Sequence, residues 1–443
     1  MTVSFTSRLL ALAACGPLAF CTAAPASLKF AFGPGAVTPG YTQVTADMVF
    51  TPERGFGFEP GAAFIGGERA GSDPLRRDCL TSSTPFYFST ALPAEGNYRV
   101  TVVLDNAGGK FPVTIKAELR RLMLERIGPA PGATTTCTFI VNTRTPKITA
   151  TDGIKEGVVK LKAPRETTLE AWAWDNLLTL EFNGPAPAVR TVEIEPVNVP
   201  TVFLIGDSTV CDQSREPYNS WGQMLPRFFK PEIAIANHAE SGETYRDSIG
   251  RHRLDKIISV MRPGDWLFMQ FGHNDQKQIA AGSGGPFTTY KAEMKTHIAA
   301  VKKAGGHAVV VSPMERRGFD AAGHVVPSLA AYAQAAREVA TEEQVPFIDL
   351  NGMSKLFYEA MGPEKSARAF AAPAGKQDNT HQSSYGSYEL ARCIVQGIRD
   401  ARLGLARFIL DDVPAFNPAK PDPVETFAVP PSPNFSNQRP LGD

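Results

Sequence analysis

The chain has 443 residues, more than one average domain, and a globular composition of 43% hydrophobic and 20% charged residues. Its 45 basic residues balance 45 acidic ones, which leaves no electrostatic ground for a nucleic-acid partner. The 38 glycines and 36 prolines argue against a helical bundle and for many turns.

In chain order, residues 1–26 read first, as an export signal. Arg8 precedes the apolar run "LLALAACGPLAFCTAAPA", and the small residues Thr22-Ala23-Ala24 and Ala24-Pro25-Ala26 suit a signal peptidase. With Gly16 and Pro17 in its middle, this run is unsuited to a permanent membrane span, and no other segment is apolar and long enough for one. The expected location is periplasmic or extracellular. The alternative is a lipid anchor at Cys15, since "LAAC" resembles a lipoprotein box, although the apolar stretch ahead of it is only Leu9 to Ala14. Removal of the signal leaves Cys79, Cys137, Cys211 and Cys393. Two bridges, Cys79–Cys137 and Cys211–Cys393, and four buried thiols are both open readings.

Residues 27–198 carry short alternating runs separated by Gly and Pro turns, the pattern of an antiparallel β-sandwich. In "FPVTIKAELRRLM", Val113, Ile115, Ala117 and Leu119 fall on one face. "FYFSTALPAEGNYRVTVVLDN" reads as two strands joined by a turn; "TCTFIVNT", "LLTLEFNG" and "TVEIEPV" add others.

Residues 199–410 change rhythm. Continuous apolar strands "TVFLIG", "IAIAN", "WLFMQFG", "HAVVVS" and "VPFIDL" alternate with the helix candidates "NSWGQMLPRFF", "TTYKAEMKTHIAAVKKAG" and "SLAAYAQAAREVATEEQ". That pattern predicts an α/β fold, a parallel sheet covered by helices on both faces. Residues 411–443 hold eight prolines and no period, so they form a tail, wrapped on the surface or mobile.

Serine chemistry needs a neighbouring base, an orienting carboxylate and donors for an oxyanion. "GDST" ends the first α/β strand and offers Ser208 at the carboxyl edge of the sheet, where such folds place their chemistry. "NHAESGET" after the second strand offers Gly242, whose backbone N–H a substrate approaches unhindered by a Cβ. "FGHND" after the third offers the amide of Asn274. "DNTHQSSYG", before the last helix, offers His381 with Asp378 three residues earlier, so that one loop presents both. Each motif alone is weak; their common position on one sheet edge makes the set strong.

His252, His297, His307 and His324 have no polar cluster around them and are expected at the surface, whereas His238 and His273 are expected to pack beside the site motifs. Trp172 and Trp174 are either core residues or a sugar platform. Arg316 and Arg317 in "MERRGFD" either bind a substrate carboxylate or belong to a solvated loop. With Asp207, Thr209 and His273 they are the remaining substrate-binding candidates.

In residue type and order these four motifs resemble the SGNH (GDSL-type) hydrolases, and over the same stretch the rhamnogalacturonan acetylesterase-like branch of that family. The N-terminal half, with "FAFGPGAVTPGYTQV" and "ERGFGFEPG", looks like the galactose-binding-like sandwich fused to such esterases. The resemblance implies a three-layer α/β/α, flavodoxin-like catalytic domain. It implies Ser208 as nucleophile, His381 as base, Asp378 as its orienting acid, and Ser208, Gly242 and Asn274 as the oxyanion hole. It also implies an exported esterase that removes O-acetyl groups from acetylated pectin-type polysaccharide or oligosaccharide, with no cofactor or metal. Glu240 and Glu243 depart from the family pattern and leave substrate detail open. Two other functions stay open, an esterase or lipase on small or lipid esters and a non-catalytic glycan-binding protein. The intact motif set argues against the latter.

Overall fold

The computed structural model describes residues 27–35, 39–61, 63–68, 78–105, 112–128 and 133–434. The expected export signal, with Cys15, lies outside the described residues, as does the 435–443 end of the tail.

The N-terminal strands are β1 (Leu28–Phe32), β2 (Thr42–Val44), β3 (Phe56–Phe58), β4 (Phe64–Glu68), β5 (Asp78–Ser82), β6 (Phe86–Ala91) and β7 (Gly96–Asp105). They continue as β8 (Val113–Ala117), β9 (Arg121–Ile127), β10 (Thr134–Thr143), β11 (Lys147–Ile148), β12 (Gly157–Val158), β13 (Leu177–Asn183) and β14 (Ala188–Pro196). One sheet runs β10-β7-β14-β1-β2, with β5 and β4 attached to β14; the other runs β3-β6-β13-β8-β9. Alternate residues of β7 are buried, as the pleat of a half-covered sheet requires. Phe30, Val100 and Val102 from one sheet meet Phe88, Ile115 and Leu180 from the other in a shared core.

The run "FPVTIKAELRRLM" is not one strand. It folds into a hairpin whose turn, Glu118–Arg120, holds Glu118 at φ 56° and Arg120 at φ 63°. No glycine marks that turn, so alternation runs through it unbroken in the sequence.

Neither expected disulfide forms. β14 and β7 lie between the strands of Cys79 and Cys137, about 14 Å of sheet, beyond the roughly 7 Å reach of a bridge. Cys211 and Cys393 are buried thiols.

The C-terminal half has five parallel strands, β15 (Thr201–Gly206), β16 (Ala234–Asn237), β17 (Trp266–Gln270), β18 (His307–Val311) and β19 (Phe347–Ile348), ordered β16-β15-β17-β18-β19. This is the doubly wound order whose switch point lies between β15 and β17. Its helices are α1 (Trp221–Met224), α2 (Tyr245–Gly250), α3 (Arg253–Val260), α4 (Lys277–Ala280), α5 (Lys291–Lys303), α6 (Ala330–Glu342), α7 (Leu350–Lys365) and α8 (Ser384–Asp400). Val202 and Leu204 face one core with Trp221, Phe357 and Ile394; Phe203 and Ile205 face another with Ile257, Ile298 and Val339. Both faces of the sheet are therefore covered, which is why its strands read as continuous apolar runs. The expected helix at "NSWGQMLPRFF" is only α1 followed by a 3-10 turn at Leu225–Phe228, because Pro226 has no N–H to continue an α-helix.

His297 departs from the surface expectation. It is fully buried on α5, with Nε2 2.8 Å from Ser248 Oγ and Nδ1 2.8 Å from the Glu293 carbonyl. Met294, His297, Ile298 and Val301 share the helix face turned to the core, and burial pulls the imidazole down to about 4. His252 is half-buried, and His307 and His324 are exposed.

Between β10 and β13 the chain leaves the sandwich and lays a π-turn (Arg165–Leu169) and a 3-10 turn (Ala171–Ala173) against the α/β half. Trp174 is a core residue there, its Nε1 donating to Glu166 Oε1 at 2.9 Å. The Pro-rich tail wraps as far as it is described: Phe416 and Val429 are buried, and Ser432 joins both halves. No helix among the described residues is long and apolar enough to cross a membrane.

Candidate active site

The site is built where β15 stops. A Cβ on Gly206 would stand 2.5 Å from the Gln270 carbonyl, so only glycine lets β15 and β17 close on each other here. The chain then turns, with Val210 N and Cys211 N both donating to the Asp207 carbonyl at 3.0 Å. Asp207 and Thr209 are fully buried and brace this turn. Asp207 Oδ1 accepts from Thr209 N (3.0 Å) and Thr209 Oγ1 (2.7 Å), and Oδ2 lies 3.3 Å from His273 Nδ1. Burial would raise the Asp207 carboxyl, but His273 and the Thr209 donors hold it below the ordinary carboxylate value.

Ser208 is left at the tip, 1% exposed, its carbonyl accepting from Gln213 Nε2 at 2.7 Å. Its Oγ lies 3.0 Å from His381 Nε2, across 173 residues of chain. His381 Nδ1 lies 3.0 Å from Asp378 Oδ2. The other oxygen, Oδ1, accepts from Thr380 N (2.8 Å) and His381 N (3.0 Å), so the carboxylate shapes the loop that carries the imidazole. Burial pushes the Asp378 carboxyl up, yet the His381 ring and these backbone donors carry it well below the ordinary range. Behind the loop α8 starts at the N-cap Ser383, and a Cβ on Gly386 would strike the Ala369 carbonyl at 1.9 Å. The "YG" of the motif is thus a packing requirement.

Gly242 sits in the loop after β16 at φ +74°, a left-handed conformation that glycine adopts without strain. Directly after it, Thr244 and Asp247 form a capping box that starts α2 and fixes where the loop ends. Asn274, after β17, donates from Nδ2 to the Glu243 carbonyl at 3.2 Å, and its Oδ1 lies 3.3 Å from Lys277 Nζ. The amide's orientation is therefore fixed from both ends. A cavity of about 300 Å³ opens beside these two residues, lined in part by Thr244, Arg246, Lys277 and Gln278.

Arg316 donates to Gln276 Oε1 (2.9 Å) and to the His273 carbonyl (3.2 Å), at the rim of the same region. Arg317 turns away, to Asn379 Oδ1 (3.0 Å), Ser366 Oγ (3.2 Å) and the Pro363 carbonyl (2.5 Å). His238 is buried, edge-on to Trp174 at 6.1 Å between ring centres, and burial drives its pKa well down. Sequence reasoning missed Gln213 and Lys277, which touch the site from segments that carry no motif. Only their place directly after site motifs could have signalled them.

Residues 204–386 match the model of the GDSL-like lipase/acylhydrolase family. The rhamnogalacturonan acetylesterase RhgT of Bacillus subtilis (strain 168) is 36% identical over 215 residues, covering 46% of this chain and 91% of that protein. The chain belongs to the GDSL-like lipase/acylhydrolase family. Its members' ester chemistry makes it a serine carboxylic-ester hydrolase. The acylhydrolase is also similar to the probable rhamnogalacturonan acetylesterase YesY of the same organism, at 33% identity over 48% of this chain and 98% of that one. A third Bacillus subtilis relative, the uncharacterized esterase YxiM, is 28% identical over 87% of this chain and 94% of its own, a likeness that takes in the sandwich as well.

Proposed function

We propose that this chain is an exported carbohydrate esterase that removes O-acetyl groups from a plant cell-wall polysaccharide of the rhamnogalacturonan type. The observation that carries the reading is the unbroken chain Asp378–His381–Ser208, 3.0 Å at each step, at the carboxyl edge of a parallel sheet. In the reaction Ser208 Oγ attacks the acetyl carbonyl while His381 Nε2 takes its proton. Asp378 accepts from Nδ1–H and stabilises the imidazolium that forms. The oxyanion is held by the backbone N–H groups of Ser208 and Gly242 and by the Asn274 amide. Collapse of the tetrahedral intermediate breaks the bond to the sugar oxygen, which leaves with the proton from His381. Water then attacks the acetyl-enzyme by the same route in reverse, releasing acetate and the free serine.

The carbohydrate substrate is supported by the names of RhgT and YesY. The polar cavity beside Gly242 and Asn274, with Arg246, Lys277 and Gln278 on its wall, suits sugar hydroxyls better than a fatty chain. Residues 1–26 are the export signal in this proposal, 27–198 a galactose-binding-like sandwich, 199–410 the catalytic domain and 411–443 a tail.

The test is acetate release from acetylated rhamnogalacturonan and from p-nitrophenyl acetate by the wild type and by Ser208→Ala. Release from both substrates that disappears in the variant is expected. Ser208-dependent turnover of the small ester alone would sink the polysaccharide assignment, and no Ser208-dependent release at all would sink the hydrolytic reading of the site.

A further inference from the structure

We infer that Lys162 and Arg165, outside the α/β half, are positioning residues for the oxyanion-binding loop. This rests on the reading of Gly242 as an oxyanion donor. Both belong to the excursion between β10 and β13, which touches the loop after β16 before the chain returns to the sandwich.

The contact falls on one peptide group. Lys162 Nζ donates to the Ser241 carbonyl at 2.5 Å. That carbonyl belongs to the same planar trans unit as the Gly242 N–H, and the two point in opposite directions. An ammonium that fixes the oxygen therefore fixes the direction of the N–H. It also polarises the peptide, which strengthens the N–H as a donor. Arg165 takes the side chain of the same residue, its Nη2 donating to Ser241 Oγ at 2.9 Å. The same nitrogen lies 3.4 Å from Oε1 of Gln213, whose Nε2 holds the Ser208 carbonyl. One guanidinium so touches both the oxyanion loop and the segment that follows Ser208.

The flanking acids explain why two cations are held there. Glu243, fully buried, has Oε1 2.8 Å from Lys162 Nζ, 3.3 Å from Arg251 Nε and 3.7 Å from Arg253 Nε. Glu240 Oε1 lies 3.4 Å from Arg165 Nε, and Glu170 anchors the same nitrogen at 2.6 Å. A buried carboxylate such as that of Glu243 needs such partners, whereas burial and the neighbouring Glu170 and Glu166 push the Glu240 carboxyl well up. Glu240 and Glu243, on either side of Gly242 in the loop, thus become anchors by which the excursion grips it rather than substrate-reading groups.

The experiment uses the full chain with p-nitrophenyl acetate, counting live sites by fluorophosphonate labelling of Ser208. In Lys162→Met, kcat per labelled site is expected to fall about tenfold or more, a donor misdirected costing less than the roughly 100-fold or more of a donor removed. KM should stay within about twofold, since ground-state binding is not the target. Affinity for phenylboronic acid, whose adduct is a tetrahedral anion, should fall in parallel with kcat. Lys162→Arg should recover part of the loss, and Lys29→Met, a surface pair with Glu193 at 2.7 Å, should change nothing. An unchanged kcat per labelled site with only a lower melting temperature would overturn the inference, since that is what structural glue alone predicts. If Lys162→Met does not fold, Ser241→Ala removes only the hydroxyl that Arg165 holds; a wild-type kcat in that folded variant would overturn it equally. Activity surviving in Ser208→Ala would instead bring down the catalytic reading on which the inference rests.

Discussion

A serine hydroxyl in water keeps its proton at any working pH, so in the proposed mechanism the reactivity of Ser208 is borrowed from its neighbours. Asp378 is the clearest of them, because its two oxygens do separate jobs: one shapes the loop and the other meets the imidazole. Asp378→Asn keeps the shape but removes the charge, and presents an amide N–H where His381 needs an acceptor. A kcat loss on the order of 10⁴-fold is expected, measured on p-nitrophenyl acetate. The stability effect has a pH signature. The folded carboxyl is depressed, so its contribution is present above the unfolded value of about 3.9 and is lost as pH falls through the folded value. The gap in unfolding midpoint between wild type and Asp378→Asn should be constant down to about pH 4 and narrow below it. A gap that closes already between pH 7 and 5 would assign the depression to another group. The grouping of Ser208, Asp378 and His381 was legible from the sequence because they sit in short motifs; Gln213 in a loop and Lys277 at the start of α4 were not, because single polar residues carry no local signature.

At the scale of the element, periodicity was a good guide wherever one face meets a core. The five parallel strands and helices α5 and α6 were legible for that reason. It failed at the β8–β9 hairpin, whose turn takes positive φ at Glu118 and Arg120 with no glycine to mark it. It misled at His297, whose polar ring reads as surface although it lies at an inward position of α5. That burial has a consequence. An imidazole held near 4 is neutral when folded but protonates near 6.5 when unfolded, so its stabilising contribution is present above 6.5 and is lost as pH falls toward 4. The wild type should lose on the order of a few kcal/mol across that window from this group. His297→Gln should show a flatter profile over the same window in pH-dependent urea unfolding, and an equally steep one would rule out His297 as the cause.

For the whole molecule, the tail acts as a strap. Lys116 Nζ on β8 donates to the Pro430 carbonyl (2.9 Å) and Ser432 Oγ (2.7 Å), and Ser432 Oγ donates to Glu181 Oε2 (2.7 Å) on β13. Ser432 N meanwhile donates to Glu216 Oε1 (3.0 Å) in the loop beyond Ser208. One serine so ties the sandwich to the α/β half. Ser432→Ala leaves a buried ammonium and a buried carboxylate each short of a partner, which costs about 1–3 kcal/mol. Chemical unfolding should read that loss, while kcat stays near wild type; a difference under about 0.5 kcal/mol would mean that the strap is not bearing on stability.

The sequence by itself determined what depends on near neighbours along the chain: strand and helix periods, the glycine that ends β15, and the Asp-x-x-His spacing by which one loop carries two members of the site. Tertiary structure alone decided what depends on distance in space. It set His381 against Ser208 across 173 residues, laid Lys162 on the Ser241–Gly242 peptide and Arg165 on the Ser241 hydroxyl, and drew the tail over both halves. The physical reason is that apolar burial leaves a regular imprint along the chain, whereas a buried charge needs only one partner, and that partner can stand anywhere in the sequence.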